Sequence, residues 1–247
     1  MPSRHKMIPG EENNKVSIIV VNWNGERFLK DCLGALCDQT YANCEIILVD
    51  NGSSDNSVCL TREKFPQVKI AALRENKGFT GGNTAGLEVA QGPYIALVNN
   101  DARADRTWLE NLLQPMLRDR SIGICASKLI FENSLILNSA GDGMTTAAVG
   151  FNRGLGKDPA LFNRPDLVFS ACGAAVLYRR RMLEEIIDPE TAIAWGLANR
   201  RCDAVVDVVM PLVHMDTDQF ILSQMTEDFR EAVTAFLEKR RPGYEGR

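Results

Sequence analysis

"EIILVDNGSSDNS", residues 45–57, runs four apolar residues into Asp50 and then into a knot of turn-forming residues. An unbroken aliphatic run of this kind reads as a strand buried on both faces of a parallel sheet. Asn51, Gly52, Ser53, Ser54 and Asp55 are residues that suit tight turns and helix caps. A carboxylate at the tip of such a strand is therefore either part of a turn or the floor of a site, and the flanking sequence has to decide.

The same grammar repeats on both sides. Upstream, "VSIIVV" (16–21) predicts a buried first strand, "NWNGE" a turn, and Phe28, Leu29, Cys32, Leu33 and Leu36 an amphipathic helix to about Gln39. Downstream, "NSVCLTREKF" predicts a second helix, "VKIAAL" a third strand, "GGNTAGLEVAQ" a third helix and "YIALVN" a fourth strand. A further helix over 105–119 carries Trp108, Leu109, Leu112, Leu113 and Met116, with a kink expected at Pro115. Strand and helix alternating through short turns predict an α/β fold, a doubly wound, mostly parallel sheet. Beyond about residue 120 the alternation gives way to short apolar stretches between Gly- and Asn-rich turns, which read as hairpins and loops. "LVFSACGAAVLYRRRMLEEI" returns to strand, turn and helix.

Ligands of open parallel sheets bind just past the carboxyl ends of the strands. Those positions hold Asn22 and Asn24, then Asp50, Asn51 and Asp55, then Arg74 and Asn76, and finally Asn99, Asn100 and Asp101. Short amides and carboxylates can read a base and ribose or hold a hard cation through oxygen. Taken singly, each stretch is equally a turn or a helix cap; taken together, in this order on one sheet, they point to a site. "ENKGFTGGNTAG" opens a helix with glycines that let backbone approach a phosphate. "NWNGER" is not the Gly-x-Gly-x-x-Gly of a dinucleotide-binding oxidoreductase, which sets that class aside.

Composition narrows the field further. The 247 residues are 45% apolar and 24% charged, ordinary for a globular chain. A net charge of −4 supplies no basic footprint for nucleic acid. The seven cysteines show no zinc or C-x-x-C spacing and fall mostly in apolar segments, so buried, reduced thiols are expected. No apolar run reaches the roughly 18 residues of a membrane span, and residues 1–15 lack the apolar stretch of a signal peptide. The expectation is a flexible N-terminus over 1–14 and a cytoplasmic protein.

Residues 15–187 resemble family 2 glycosyltransferases, inverting nucleotide-sugar enzymes of the GT-A fold, and among them rhamnosyltransferase-like members that build bacterial surface polysaccharide. The matching motifs are "VSIIVVNWNG", "EIILVDNGSSDNS", "ENKGFTGGNTAG", "YIALVNNDA", "ILNSAG" and "ACGAAVLYRRRMLEEI". The resemblance implies that Asn22, Asn24 and Asp50 hold the base and ribose of a UDP- or dTDP-sugar, that Asn51 and Asp55 support that turn, and that Asn76 belongs to the same nucleotide-sugar site. Gly82 and Asn83 would line the donor pocket beside the diphosphate. Asn99, Asn100 and Asp101 stand where the family often carries Asp-x-Asp, and Asp101 would coordinate Mg2+ or Mn2+. The acceptor would be a glycan or a lipid-linked molecule, reached from the cytoplasm or peripherally at the inner membrane.

The resemblance breaks after residue 187. The family's Glu-Asp-x-Asp segment, which supplies the general base, has no counterpart; Asp142, Glu184, Glu185 and Asp188 are candidate replacements and His214 a candidate metal ligand. Residues 188–247 resemble instead the C-terminal part of enoyl-CoA hydratase/isomerase (crotonase) proteins. Their last helix, with an apolar stripe of Phe229, Ala232, Val233, Phe236 and Leu237, is a candidate for homo-oligomer formation. Two readings stand open: an active transferase, or a nucleotide-sugar-binding or interaction protein that lacks the acceptor-site base.

Overall fold

The computed structural model describes residues 14–132, 134–144 and 150–187. Chain contacts divide these into two units. The first comprises 14–76, 82–125 and 173–184; the second comprises 77–81, the described part of 126–172, and 185–187.

In the first unit the predicted alternation forms. Strand β1 (Val16–Asn22) leads to helix α1 (Glu26–Cys37), β2 (Cys44–Asp50), α2 (Ser57–Lys64), β3 (Lys69–Ala72), α3 (Gly78–Val89), β4 (Tyr94–Asn99) and α4 (Trp108–Arg118). The α4 helix continues through Pro115, whose carbonyl accepts from the Asp119 amide at 2.9 Å. β5 (Ile124–Ala126) closes one edge. The second unit holds two small antiparallel pairs, β6 (Lys128–Ile130) with β7 (Leu137–Ala140) and β8 (Asp142–Met144) with β9 (Gly150–Asn152), then a 3-10 turn at Pro159–Phe162. This is the hairpin region expected past residue 120. The chain then returns to the main sheet as β10 (Ala175–Arg179), which runs directly into α5 (Arg180–Ile187). The expected turn between strand and helix is absent there; the turn residues precede β10 instead.

The main sheet has the order β3-β2-β1-β4-β10-β5. β3, β2, β1 and β4 are parallel, and β10 lies antiparallel to β4. The sheet is therefore mixed. Alternate residues of β1, β2 and β4, including Val16, Ile18, Val20, Ile46, Leu48, Ala96 and Val98, pack against Leu29, Leu33 and Leu36 of α1 and Leu109, Leu113 and Met116 of α4. On the opposite face Gly86 of α3 lies so close that an added Cβ would stand 2.5 Å from Ile19 Cγ2. Burial on both faces is the physical reason these strands read as unbroken apolar runs.

Two arginines tie this sheet to its helices. Arg179 donates through Nη2 to the Met116 carbonyl at 2.8 Å, in the last turn of α4. Arg180 donates through Nη2 to Ala90 O at 2.8 Å and through Nε to Gly92 O at 2.7 Å, just past α3. Both thus satisfy carbonyls that a helix end leaves without amide donors.

A buried charge stands at the amino end of the sheet. Glu45 accepts from Ser17 Oγ at 2.6 Å and the Gln91 amide at 2.8 Å, and pairs with Lys69 at 2.6 Å and Lys15 at 3.1 Å. Burial pushes its carboxyl up, but the bonds from Lys69, Ser17, Gln91 and Lys15 outweigh this and pull it from the ordinary 4.5 to about 2. A carboxyl whose folded pKa is depressed stabilises the fold fully above about pH 4.5 and loses that contribution as the pH falls toward about 2. Glu45→Gln is expected to cost about 1–3 kcal/mol at neutral pH and to flatten the stability profile across that acid window. Urea melts at stepped pH measure both; a variant with native stability and native acid sensitivity would refute the assignment.

No disulfide joins the described cysteines to one another. Cys32 is buried as expected, and its thiol is pushed up to about 12 by burial, then by the charge of Asp101 and by Cys37. Cys37 and Cys59 are exposed, contrary to the expectation of buried thiols. Cys37 is the last residue of α1, beyond the apolar stripe, and Cys59 lies on the outer side of the short α2. No helix among the described residues is long and apolar enough to cross a membrane.

Candidate functional site

The strand order creates a topological switch point. From β1 the chain moves outward through β2 and β3, then crosses to the other side of β1 at β4. A crevice opens at the carboxyl ends of such strands, on either side of the first one. Register aligns Asn22 with Asp50 and Val21 with Asn99, so the polar tips of three strands stand side by side.

Their side chains are joined. Asn100 Nδ2 donates to Asn22 Oδ1 at 2.8 Å, and Asn22 Nδ2 donates to Ser53 Oγ at 3.3 Å. The Ser53 amide donates to Asp50 Oδ2 at 3.3 Å, while Ser53 Oγ also accepts from the Asn24 amide at 3.0 Å. On the other flank the Asn51 amide donates to Asn22 O at 2.7 Å, and Asn51 Nδ2 donates to Asn76 Oδ1 at 2.9 Å. Asn22 is wholly buried, and Asp50 and Asn51 are 4% and 2% exposed. Gly52 adopts φ +74°, where a Cβ would also meet the Glu75 backbone at 2.8 Å; glycine lets the loop after β2 lie against the loop after β3.

A second set of bonds braces this floor. Asp55 accepts from the Glu26 amide and the Ser57 amide, each at 3.0 Å, and Glu26 Oε2 accepts from the Asn56 amide at 3.2 Å. Burial raises the Asp55 carboxyl, but the adjacent Ser57 and the backbone amides of Glu26 and Ser57 leave it below the ordinary value. Both oxygens of Asp55 thus hold the starts of α1 and α2. Asn24, with φ +48°, accepts on Oδ1 from the Ser54 amide at 2.8 Å. These two residues fix the shape of the loops on which the buried pair Asn22 and Asp50 sits.

Two buried side-chain oxygens are left over among the described residues, Ser57 Oγ at the start of α2 and Asp50 Oδ1. Asp50 Oδ1 is buried and accepts no hydrogen bond from the protein. A buried carboxylate oxygen without a donor is costly, and such an atom calls for a partner, whether water, ion or ligand.

The remaining predicted residues fall around this floor. Gly82 and Asn83 are buried in the first half of α3; a Cβ on Gly82 would stand 2.6 Å from Val21 Cγ1 and 3.5 Å from Asn51 Nδ2. Asn99 ends β4, its carbonyl accepting from the Ala102 amide at 3.1 Å and from Cys32 Sγ at 3.5 Å, so residues 99–102 turn tightly above α1. Asp101 in this turn is exposed. Among the described residues no three His, Cys, Asp or Glu side chains gather into a metal cage. Mg2+ and Mn2+ are commonly held by one or two carboxylates together with substrate phosphates, and Asp101 is one exposed carboxylate.

Asp142 lies in the second unit. Burial raises its carboxyl, offset in part by Ser139 Oγ, which donates to Oδ1 at 3.0 Å. Glu184 is exposed, 3.8 Å from Arg180 Nη1. The side chain of Glu185, together with Asp188, His214 and the whole 188–247 segment, lies outside what the structure describes.

Residues 17–187 match the model of Glycosyl transferase family 2. The chain belongs to that family. Its curated relatives include the uncharacterized glycosyltransferase YibD of Escherichia coli, 34% identical over 109 residues, which are 43% of this chain and 31% of YibD. The cholesterol galactosyltransferase of Borreliella burgdorferi is 31% identical over 120 residues, 47% of this chain and 33% of that protein. The matched stretch thus spans about a third of these relatives. In fold the family 2 domain is similar to Staphylococcus aureus TarS, solved with UDP, at TM-score 0.50 and 18% identity over 69% of this chain and 48% of that one. It is also similar to a Pyrobaculum calidifontis mannosyltransferase in complex with GDP-Man and Mn2+, at TM-score 0.50 and 19% identity, covering 74% and 52% of the two chains. The match stops at Ile187, and the resemblance of 188–247 to crotonases gains no support from these relatives.

Sequence reasoning missed Ser53, Gly25 and Glu26. Ser53 is the hub between Asn22, Asn24 and Asp50, and Glu26 returns the brace of Asp55. The only local signals were turn chemistry, a serine inside "DNGSSD" and a glycine after "NWN", which look the same in any loop.

Proposed function

We propose that this family 2 domain binds a nucleoside diphosphate sugar on the Asn22–Asp50 floor and transfers the sugar, with inversion, to an acceptor hydroxyl. The observation that carries the reading is the buried, unpartnered Asp50 Oδ1 at the switch point, an acceptor for an N–H of a base or a ribose hydroxyl. Trp23, 56% exposed between Asn22 and Asn24, offers an aromatic face on which a base can stack. Proteins of similar fold are solved with UDP and with GDP-Man and Mn2+, which supports a nucleotide-bearing donor. We favour UDP or dTDP.

Asp101, with oxygens of Asn99, would hold Mg2+ or Mn2+, which when bound neutralises charge on the departing diphosphate. The chain's own residues do the rest: Asp50 and Asn22 orient the nucleoside, Asn24 and Asp55 hold their loops in shape, and Gly82 and Asn83 keep the start of α3 close to the floor. A carboxylate takes the acceptor proton. The acceptor is a glycan or a lipid-linked molecule, and the enzyme works in the cytoplasm or at the inner face of the membrane.

Titration calorimetry of the full chain with UDP, dTDP and GDP, with and without Mn2+, tests the donor site. Metal-dependent heat with one diphosphate is expected; silence with all three would rule the reading out. Donor turnover is then measured as nucleotide release with and without acceptor glycans. Binding without any turnover would make the protein a nucleotide-sugar binder rather than a transferase.

A further inference from the structure

The second unit exposes more apolar surface than its size explains. About a quarter of the described chain lies between 126 and 172, yet eight of the twelve large hydrophobic residues exposed among the described residues are found there. Such a concentration marks an interaction surface. Four of the eight crowd the tip of the β6–β7 hairpin. Ile130 stands opposite Leu137 across the strand pair, so their side chains share one face. Phe131, whose amide donates to Ile136 O at 3.0 Å, shares the other face with Ile136. Leu135, 87% exposed, closes the end. The tip is braced as well as apolar, because the Ser134 amide and hydroxyl both donate to Phe131 O, at 3.2 and 3.0 Å.

A strap over 155–167 lies alongside the hairpin. The Leu137 amide donates to Lys157 O at 2.8 Å, the Gly156 amide to Leu137 O at 2.9 Å, and Lys128 Nζ to Asn163 Oδ1 at 2.8 Å. The strap carries Leu155, Leu161 and Leu167, the last 97% exposed, interleaved with the exposed cations Lys157 and Arg164. Its acids are tied down. Asp158 Oδ1 accepts from the Ala160 amide at 2.8 Å, and Asp166 pairs with Arg153. Lys157 and Arg164 have no acidic partner among the described residues.

We propose that the hairpin tip and the strap form a docking surface for an anionic phospholipid bilayer. The tip enters the boundary between headgroups and acyl chains, and Lys157 and Arg164 meet lipid phosphates. Shape decides against a protein partner: a flat protein face covers one side of a strand pair, whereas lipid closes around both sides and the end. Free cations among leucines complement an anionic headgroup layer, where each Lys or Arg near the surface adds to binding. Glu132, exposed beside Phe131, limits the depth, because a carboxylate stays among the headgroups. No described helix is able to cross a bilayer, so the contact is one of the surface only. The proposal adds to the sugar-transfer reading and uses none of the donor-site residues, so either can fail alone.

Flotation of the full chain on vesicles tests the surface, with phosphatidylglycerol and phosphatidylethanolamine in one set and phosphatidylcholine alone in the other. The native protein is expected to float with the anionic set and to bind the neutral set about ten- to thirtyfold more weakly. Phe131→Ser with Leu135→Ser should weaken binding about ten- to a hundredfold on both sets. Lys157→Ala with Arg164→Ala should weaken it about ten- to thirtyfold on the anionic set alone. Melting curves establish that each variant is folded; if the first pair is not, Leu135→Ser with Leu167→Ser, both almost fully exposed, decides. A native protein that stays in the soluble fraction with both sets, or apolar variants that float like the native chain, would overturn the proposal. So would a native dimer in sedimentation velocity that Phe131→Ser with Leu135→Ser converts to monomer, with no vesicle binding by either, the outcome for a second copy of this chain. Nucleotide titrations of the variants are expected to match the native chain, so a silent donor site and a failed docking surface are read separately.

Discussion

Asp101→Ala is expected to slow sugar transfer by about a thousandfold, the size of effect that loss of a Lewis-acid metal contributes at a departing diphosphate. The fold should not register the change. Asp101 is exposed in the turn after β4, and substitutions at such positions usually stay within about 0.5 kcal/mol. The loss should fall on kcat and on donor affinity together, because the cation proposed at Asp101 also supports diphosphate binding. Removing the metal with a chelator should reproduce the defect in the native enzyme and have little further effect on the variant. Steady-state rates with a competent donor and acceptor measure this. A variant keeping more than about a tenth of native turnover would show that Asp101 is not where the cation acts.

Asp50→Asn separates binding from stability in the opposite sense to most core substitutions. Asp50 is 4% exposed, and its Oδ1 has no donor within the protein. Replacing the charge by an isosteric amide keeps an oxygen for the Ser53 amide and removes a buried carboxylate that the unliganded fold must bear alone. The melting temperature should therefore hold or rise. Nucleotide affinity should fall about ten- to a hundredfold, as expected for a lost hydrogen bond to a charged group of about 1.5–3 kcal/mol. Calorimetry and thermal melts on the same preparation read both quantities. If the substitution destabilised the protein and left nucleotide affinity intact, Asp50 would be a structural residue and the floor would lose its central acceptor.

Much of the site is local in origin, and so could be anticipated. The run Ile46–Val49 forces a strand because it is buried on both faces, and the tip of such a strand is where the sheet presents polar groups. Asn22, Asp50, Asn51 and Asn76 are brought together as the strand-end argument expects. Asp55 braces its turn through the Glu26 and Ser57 amides, the place the resemblance gives it, whereas the Asn24 oxygen is taken by the Ser54 amide, so Asn24 too shapes a loop. Side-chain identity marks these residues as polar tips; only their partners distinguish a ligand-facing oxygen from one already used. The exposed Cys37 and Cys59 make the same point in reverse, since apolar neighbours in sequence do not say which side of a helix a thiol occupies.

The amino-acid sequence by itself determined the alternation of strands and helices, the buried character of β1, β2 and β4, and the kinds of polar group at their ends. These follow from periodicity and turn chemistry, which act over a few residues. The tertiary structure alone decided that β4 lies beside β1, that β10 enters antiparallel between β4 and β5, and that Asn100 meets Asn22 across 78 positions of chain. Such pairings depend on which strand edges close against each other. That choice is made by the packing of the whole sheet between its helices, and no short stretch of sequence encodes it.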